Sequence, residues 1–197
     1  MVLKDKKKII LAFFVIIFGT AFRIFLNKII GIPNFEAMTS LSLLTGPFFG
    51  MPYSIVIPLL TIFLSDIYFG NSIIYFFTWS AFILIGIFGS YLKMRSKNYS
   101  SKIIGMGIFA VFFFYLWTNF GWWLVAGMYP MTLQGLTQCY IAALPFLKNQ
   151  LFSIFIFVPI FNSIFSFTFA RFLEQDPLKT PNQRDSHISK RFARPPQ

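Results

Sequence analysis

The side chains able to bind a ligand or to react are few in this chain. Outside three basic segments, the only acidic and basic residues are Arg23, Lys28, Glu36, Asp66 and Lys148. A charged group within an apolar segment costs about 2.5–3.5 kcal/mol at the membrane centre, so it needs a partner, a water-filled cavity or a shallow position. Two interpretations remain open. Either Arg23 pairs with Asp66 or Glu36 and ties helix ends together, or these groups contact a ligand in a polar cavity.

A second polar cluster lies in the run LWTNFGWWLVAGMYP and shortly after it. Its tryptophans are typical of the aromatic belt at a membrane interface. Asn119 fits such a belt less well, because its amide must find hydrogen-bond partners. Amide and aromatic groups together suit a small, flat, partly polar ligand. The binding candidates of this cluster are Asn119, Trp122, Tyr129, Gln134 and Gln138.

Catalysis has little support in the sequence. Cys139 is the single cysteine, and His187, in the polar C-terminal segment, is the single histidine. This excludes an intrachain disulfide, a thiolate metal site and a histidine-based site within the apolar segments. The apolar segments also contain no paired carboxylates at close spacing, although Glu36 and Asp66 could meet across helices. The sequence therefore predicts neither an enzyme nor a bound metal or cofactor.

The elements that must position these residues are apolar helices. Hydrophobic residues make up 56% of the 197 residues and charged residues only 12%, and there are 29 phenylalanines. A soluble domain contains about 25% charged residues, so the composition indicates a membrane protein whose outer surface is also apolar. We predict an all-α integral membrane protein, a bundle of about six transmembrane helices over residues 1–173. The predicted spans are 9–26, 37–50, 53–69, 73–92, 103–120 and 151–172.

Three segments depart from this simple pattern. The second span is short and is divided by Gly46-Pro47, so its helix must end, kink or be shielded by protein. Residues 121–150 are more polar, and we predict an outer loop with a short helix near residues 132–144. Residues 174–197 have the proline, arginine and serine content of a disordered tail.

The basic residues orient the bundle. All but three of the 17 lysines and arginines fall in the segments 4–8, 93–102 and 171–194. Six spans place these segments on one side, which the positive-inside rule identifies as the cytoplasm. Both termini are then cytoplasmic, and the polar residues of the spans lie in the outer half. Because the charge sits in loops beside apolar spans, the net charge of +11 does not indicate a nucleic-acid partner.

Several elements together resemble a known group. They are FRIF, PNFEAMTSLSLLTGPFFG, LSDIYFG, WTNFGWW and YPMTLQGLTQCYIAALPF, followed by the last apolar helix. Their order resembles small bacterial membrane proteins that are similar to the S components, the substrate-binding subunits of energy-coupling-factor (ECF) vitamin transporters. The resemblance runs from about Arg23 to Phe172.

This resemblance implies a six-helix bundle in the bacterial plasma membrane that holds a vitamin or other micronutrient near its outer face. It also implies partnership with a transmembrane T subunit and two ATPases, and translocation of the bound ligand. Many S components carry two alanines four residues apart in the first helix, where the T subunit packs closely. Here Ala12 and Gly19 share a face of the first span without that spacing. Carried over by position, the binding candidates are Arg23, Asn34, Glu36, Asp66, Asn119 and Gln134.

The alternative is a structural or assembly membrane protein, similar to cell-shape factors, with no transported ligand. Its functional surfaces would be the lateral helix faces and the basic tail. A binding subunit would depend instead on the polar residues of the outer half. The two interpretations therefore predict opposite patterns of sensitivity to substitution.

Overall fold

The computed structural model describes residues 5–70, 73–92, 94 and 98–174 of the chain. Six α-helices and no strand are present in this part of the chain. One helix corresponds to each predicted span, which confirms the all-helical fold class. The helices are α1 (Asp5–Phe25, extended by a π-helical turn, Leu26–Ile30), α2 (Met38–Phe49), α3 (Tyr53–Phe69), α4 (Tyr75–Ser90), α5 (Tyr99–Val125) and α6 (Leu133–Glu174).

Three helical segments are long and apolar enough to cross a membrane: Lys6–Ile30, Tyr99–Val125 and Leu133–Arg171. Large apolar side chains point away from the rest of the protein along these segments; Phe13 of α1 and Phe152 of α6 are each 62% exposed. Such side chains would be costly to leave in water, whereas lipid tails cover them. The helices and their surface are those of a membrane protein. The predicted count of six crossings remains a prediction.

The short helix α2 lies inside the bundle. It has 12 residues, about 18 Å of helix, which is less than the roughly 30 Å of a bilayer core. It packs against α1, α3, α4, α5 and α6, and almost all its residues are buried. Pro47 lies within it without ending it. The sequence left three outcomes for a helix that contains Pro47: an end, a kink or shielding by protein. The structure shows shielding by protein.

Both ends of α2 are hydrogen-bonded by a side chain from outside the helix. At the N-terminus, the Glu36 carboxylate accepts hydrogen bonds from the backbone N–H groups of Met38 and Thr39. At the C-terminus, Lys8 of α1 donates to the carbonyl oxygen of Phe49 at 3.1 Å. The Lys8 ammonium lies at the end at which a positive charge stabilises a helix, and the Glu36 carboxyl oxygens satisfy N–H groups of the first turn. A buried helix with unsatisfied ends would otherwise be costly.

The last helix differs from the sequence prediction. α5 continues to Val125, and α6 runs without a break from Leu133 through Pro145 to Glu174. The predicted outer loop over residues 121–150 is thus reduced to residues 126–132, and the predicted short helix is the first part of α6. The phenols of Tyr115 and Tyr140 donate to the carbonyl oxygens of Tyr140 and Leu116, at 2.6 and 3.0 Å. These cross-helix bonds hold the first part of α6 against α5.

Several of the basic residues that predict the orientation of the bundle are outside the part of the chain that the structure describes. The predicted tail beyond Glu174 lies outside the described residues, as do Lys4, Lys93, Arg95 and Lys97 of the basic segments. The predicted cytoplasmic position of the termini therefore stays a prediction.

Candidate functional site

A cavity of about 550 Å³ lies where the segment after α1 approaches α4 and α5. Its volume is within the range of small-molecule sites, about 300–1,000 Å³. Five of the nine predicted binding residues line it: Arg23, Asn34, Glu36, Asn119 and Trp122. The other lining residues are Asn27, Gly31, Ile32, Pro33, Phe35, Ile74, Thr78, Phe82, Phe114, Thr118 and Phe146.

The exposed edge of the cavity carries two amide side chains, and its buried part is mainly aromatic. Asn27 and Asn34 are exposed, whereas Phe82, Phe114 and Thr118 are less than 10% exposed. No hydrogen bond of the Asn27 or Asn34 carboxamides is present among the described residues, so both are available to water or to a ligand. An aromatic floor beneath free amides suits a molecule with a flat apolar body and polar substituents.

Arg23 is the basic group of the cavity and is held by its neighbours on α3. Its Nη1 atom donates to Asp66 Oδ1 at 2.7 Å and to Ser65 Oγ at 2.5 Å. The other carboxylate oxygen of Asp66 accepts a hydrogen bond from Trp79 Nε1 at 2.7 Å. The guanidinium also lies over the Phe69 ring, 5.3 Å from its centroid. This network fastens α1, α3 and α4 together, as the ion-pair interpretation of Arg23 and Asp66 predicts.

The same guanidinium retains capacity for a ligand. Arginine has five N–H donors, and the hydrogen bonds to Asp66 and Ser65 use only the two on Nη1. The Arg23 side chain lines the cavity and is 21% exposed. It can therefore hold the helices through Nη1 and donate to a ligand acceptor through its other nitrogens. The two interpretations of Arg23 are compatible in one geometry.

The segment between the π-helical turn and α2 forms one wall of the cavity. Gly31 and Asn34 adopt left-handed backbone conformations, with φ of +64° and +56°, which asparagine tolerates better than most residues. The turn is fastened to α6, since Asn149 Nδ2 donates to the Pro33 carbonyl at 2.9 Å. Gln150, which is 1% exposed, donates to Glu36 Oε1 at 3.1 Å.

Glu36 lies outside the helices that could span a membrane, and its carboxyl has a raised pKa. Burial raises the pKa of its carboxyl above the ordinary value of 4.5, while hydrogen bonds from Thr39, Gln150 and Met38 act in the opposite direction. Its contribution to stability is therefore complete below about pH 4.5 and is lost as the pH rises through its folded-state pKa.

We expect the difference in thermal stability between the wild type and Glu36→Gln to depend on pH. Glutamine cannot ionise, so the wild type should lose stability relative to this variant as the pH rises from 4.5 towards the raised pKa. Thermal unfolding in detergent across pH 4–8 measures this difference. A difference that is constant over the whole range would contradict the assignment. Gln138→Glu, at an exposed position, is the control for adding a carboxyl elsewhere.

Helix α5 contributes two consecutive polar residues, Thr118 and Asn119, to the wall of the cavity. The Thr118 hydroxyl donates to the Phe114 carbonyl and Asn119 Nδ2 to the Tyr115 carbonyl, each at 2.8 Å. The carboxamide oxygen of Asn119 accepts no hydrogen bond among the described residues. The buried thiol of Cys139 lies 3.5 Å from the Asn119 backbone carbonyl, on the side of α6.

The remaining predicted residues lie outside the cavity lining. Asp66 acts through Arg23 rather than as a wall of the cavity. Gln134 and Gln138 are exposed and Tyr129 is half-buried, and the cavity does not include them. Gln134 and Gln138 belong to the first part of α6, and Tyr129 lies shortly before it; a ligand-binding role for these three residues stays a prediction.

Several residues that line the cavity were not among the predicted binding candidates. Asn27 follows Arg23 by one helical turn, so the spacing alone could have placed it on the same face. Thr78, Thr118 and Phe146 carry no such signal, because only the packing of α4, α5 and α6 brings them together. Among the described residues, no group of three His, Cys, Asp or Glu side chains is placed to hold a metal ion.

Comparison with known proteins identifies a family. The sequence model of DUF6580, a family of unknown function, matches residues 3–177, which is most of the chain. The chain therefore belongs to the DUF6580 family. Neither a curated protein nor a solved structure matches it.

Proposed function

We propose that this DUF6580 protein binds a small molecule, a vitamin or similar micronutrient, and serves as the binding and translocation subunit of a membrane transporter. The observation that carries the proposal is the cavity of about 550 Å³ with a buried aromatic floor and free amides at its exposed edge. A protein whose helices served only for mutual packing would gain nothing from leaving polar side chains around an open volume.

The chemistry of the cavity defines the proposed ligand. Phe82 and Phe114 offer flat apolar contact, and the amides of Asn27, Asn34 and Asn119 offer donors and acceptors. Arg23 is already paired with Asp66, so the site does not require a strongly anionic ligand. The proposed ligand is a small, partly aromatic molecule with little net charge and a hydrogen-bond acceptor that faces Arg23.

The proposed setting follows the resemblance to S components. The bundle would lie in the bacterial plasma membrane with the cavity at its outer side and both termini in the cytoplasm. A T subunit and two ATPases would supply the energy for translocation. The apolar faces of α1 and α6 offer lateral surface for such a subunit. Ala12 and Gly19 do not belong to this surface, because Ala12 is only 5% exposed and Gly19 faces Leu41 and Thr61 inside the bundle.

We expect Asn119→Ala to lower the amount of ligand retained on purification by about tenfold, since one hydrogen bond to a polar ligand contributes about 1–1.5 kcal/mol. Wild type and variant are purified in mild detergent from cells grown in rich medium. Small molecules are then extracted from equal amounts of each protein and compared by mass spectrometry. Gln138→Ala is the matched control, because it removes an amide from an exposed position outside the cavity.

Equal retention by Asn119→Ala, Gln138→Ala and wild type would contradict the proposed site. If no small molecule is retained by any of the three, and partner proteins are recovered only with the tail 174–197 intact, the structural or assembly role is supported instead.

A further inference from the structure

A second concavity opens on the lateral surface of the bundle, between the end of α1 and α6. It has a volume of about 650 Å³ and is lined by Ile30, Ile32, Phe35, Lys148, Asn149, Phe152 and Phe155. We call it the lateral groove. Apart from Lys148 and Asn149, its lining is apolar, and Ile30, Phe152 and Phe155 are 42%, 62% and 53% exposed. The groove is therefore an apolar surface that is open to the surroundings of the helices.

Lys148 stands at one end of an uncharged helical stretch of membrane length. No charged residue lies between Lys148 and Arg171 on α6, and the two are separated by about 35 Å at 1.5 Å per residue. The hydrocarbon core of a bilayer is about 30 Å thick. If α6 crosses the membrane over this stretch, Lys148 lies at the level of the lipid head groups.

The order of residues along α6 matches the order of groups in a phospholipid. Phe152 and Phe155 follow Lys148 by four and seven residues, so all three share one helix face. The phenylalanines lie one and two turns deeper than the lysine, where acyl chains begin. Among the described residues, no acidic side chain lies within ion-pair distance of Lys148. The cation therefore has no competing partner there, and a phosphate group complements it.

The groove and the polar cavity share part of one wall. Ile32 and Phe35 line both, and the segment that carries them is fastened to α6 by the hydrogen bond from Asn149 to Pro33. An acyl chain in the groove would pack against the outer side of this wall. Its occupancy would support the conformation in which the cavity is formed.

We propose that the lateral groove is a binding site for one anionic phospholipid, whose phosphate pairs with Lys148 and whose acyl chain lies against Ile30, Phe152 and Phe155. This site is separate from the proposed ligand cavity and does not require that the protein be a transporter. It requires only that α6 span the membrane.

Native mass spectrometry tests the proposal with two lipids that have the same acyl chains. The full-length protein in detergent is mixed with equal amounts of phosphatidylglycerol and phosphatidylcholine, and the singly lipid-bound forms are compared. We expect the wild type to retain phosphatidylglycerol preferentially. Lys148→Ala should reduce this preference about fivefold, the effect of one basic group at an anionic lipid, and Lys148→Arg should keep it.

Lys28→Ala is the matched control. It removes the same charge from a lysine that stacks on Tyr68, at 4.9 Å from the ring centroid, and that does not line the groove. Its lipid preference should equal that of the wild type. Equal binding of the two lipids by the wild type would overturn the proposal, and so would an equal loss in Lys28→Ala and Lys148→Ala. The wild-type comparison needs no variant, so equal binding of the two lipids would overturn the proposal even if Lys148→Ala failed to fold.

Discussion

Asp66→Ala is expected to lower the free energy of unfolding by about 3 kcal/mol, the lower end of the cost of breaking a buried ion pair from one side. The Asp66 and Arg23 side chains are only 11% and 21% exposed. Loss of the carboxylate leaves the Arg23 guanidinium without its counter-charge and the Trp79 indole N–H without its acceptor. Because the network joins α1, α3 and α4, the loss should appear as lower thermal stability in detergent and lower yield.

A double variant separates the charge from the packing. Removing both charges, as in Arg23→Met with Asp66→Leu, should recover much of the stability lost by Asp66→Ala, since no uncompensated buried charge remains. The same double variant removes the proposed donor to the ligand, so it should stay deficient in ligand retention. A double variant as unstable as Asp66→Ala would show that the energetic role of the ion pair has been misjudged.

Gly89→Ala is expected to destabilise the bundle by about 3 kcal/mol or more, at or above the upper end of ordinary overpacking costs. A Cβ atom at Gly89 of α4 would overlap the backbone carbonyl of Leu43 in α2. Backbone atoms cannot turn aside as a flexible side chain can, so the two helices would have to separate. Gly46 of α2 faces the backbone of α4 at Gly89 and Ser90 in the same way. The backbones of α2 and α4 therefore touch at this crossing, where neither helix has room for a Cβ atom.

Gly105→Ala provides the comparison for Gly89→Ala. Gly105 lies within α5, and a Cβ atom there would meet nothing within 4 Å. Alanine is favoured over glycine in a helix by about 1 kcal/mol, so this variant should be as stable as the wild type or slightly more stable. Thermal unfolding of both variants in the same detergent measures the difference. Equal melting temperatures would contradict the close packing of α2 against α4.

The parts of the fold that depend on local pattern could be predicted from the sequence. Long apolar runs gave six helices, because lipid and buried contacts both favour apolar side chains over the whole helix surface. The cost of an isolated charge in an apolar segment predicted a partner for Arg23, either Asp66 or Glu36, and the structure pairs it with Asp66. Asn34, Glu36 and Asn119 were predicted as binding candidates, and the structure brings them to one cavity.

The parts that depend on packing between distant elements could not be predicted in this way. The more polar residues 121–150 suggested an outer loop between two spans, yet α6 runs from Leu133 through Pro145. The hydrogen bonds of Tyr115 and Tyr140 hold its first part against α5. An apolar sequence such as that of α2 is expected both for a span that faces lipid and for a helix enclosed by others, so the sequence alone does not distinguish the two. The enclosure of α2 depends on Gly89 and Gly46, whose role appears only when α4 is in place.

The native mass spectrum of the wild-type protein, purified in mild detergent from cells grown in rich medium, tests the central proposal most directly. We expect a one-to-one complex with a small molecule of a size that fits about 550 Å³. Its mass should differ from that of any bound phospholipid, and denaturation should release it. A spectrum that contains only the unliganded protein, or only lipid-bound forms, would contradict the proposal that this cavity holds a small molecule.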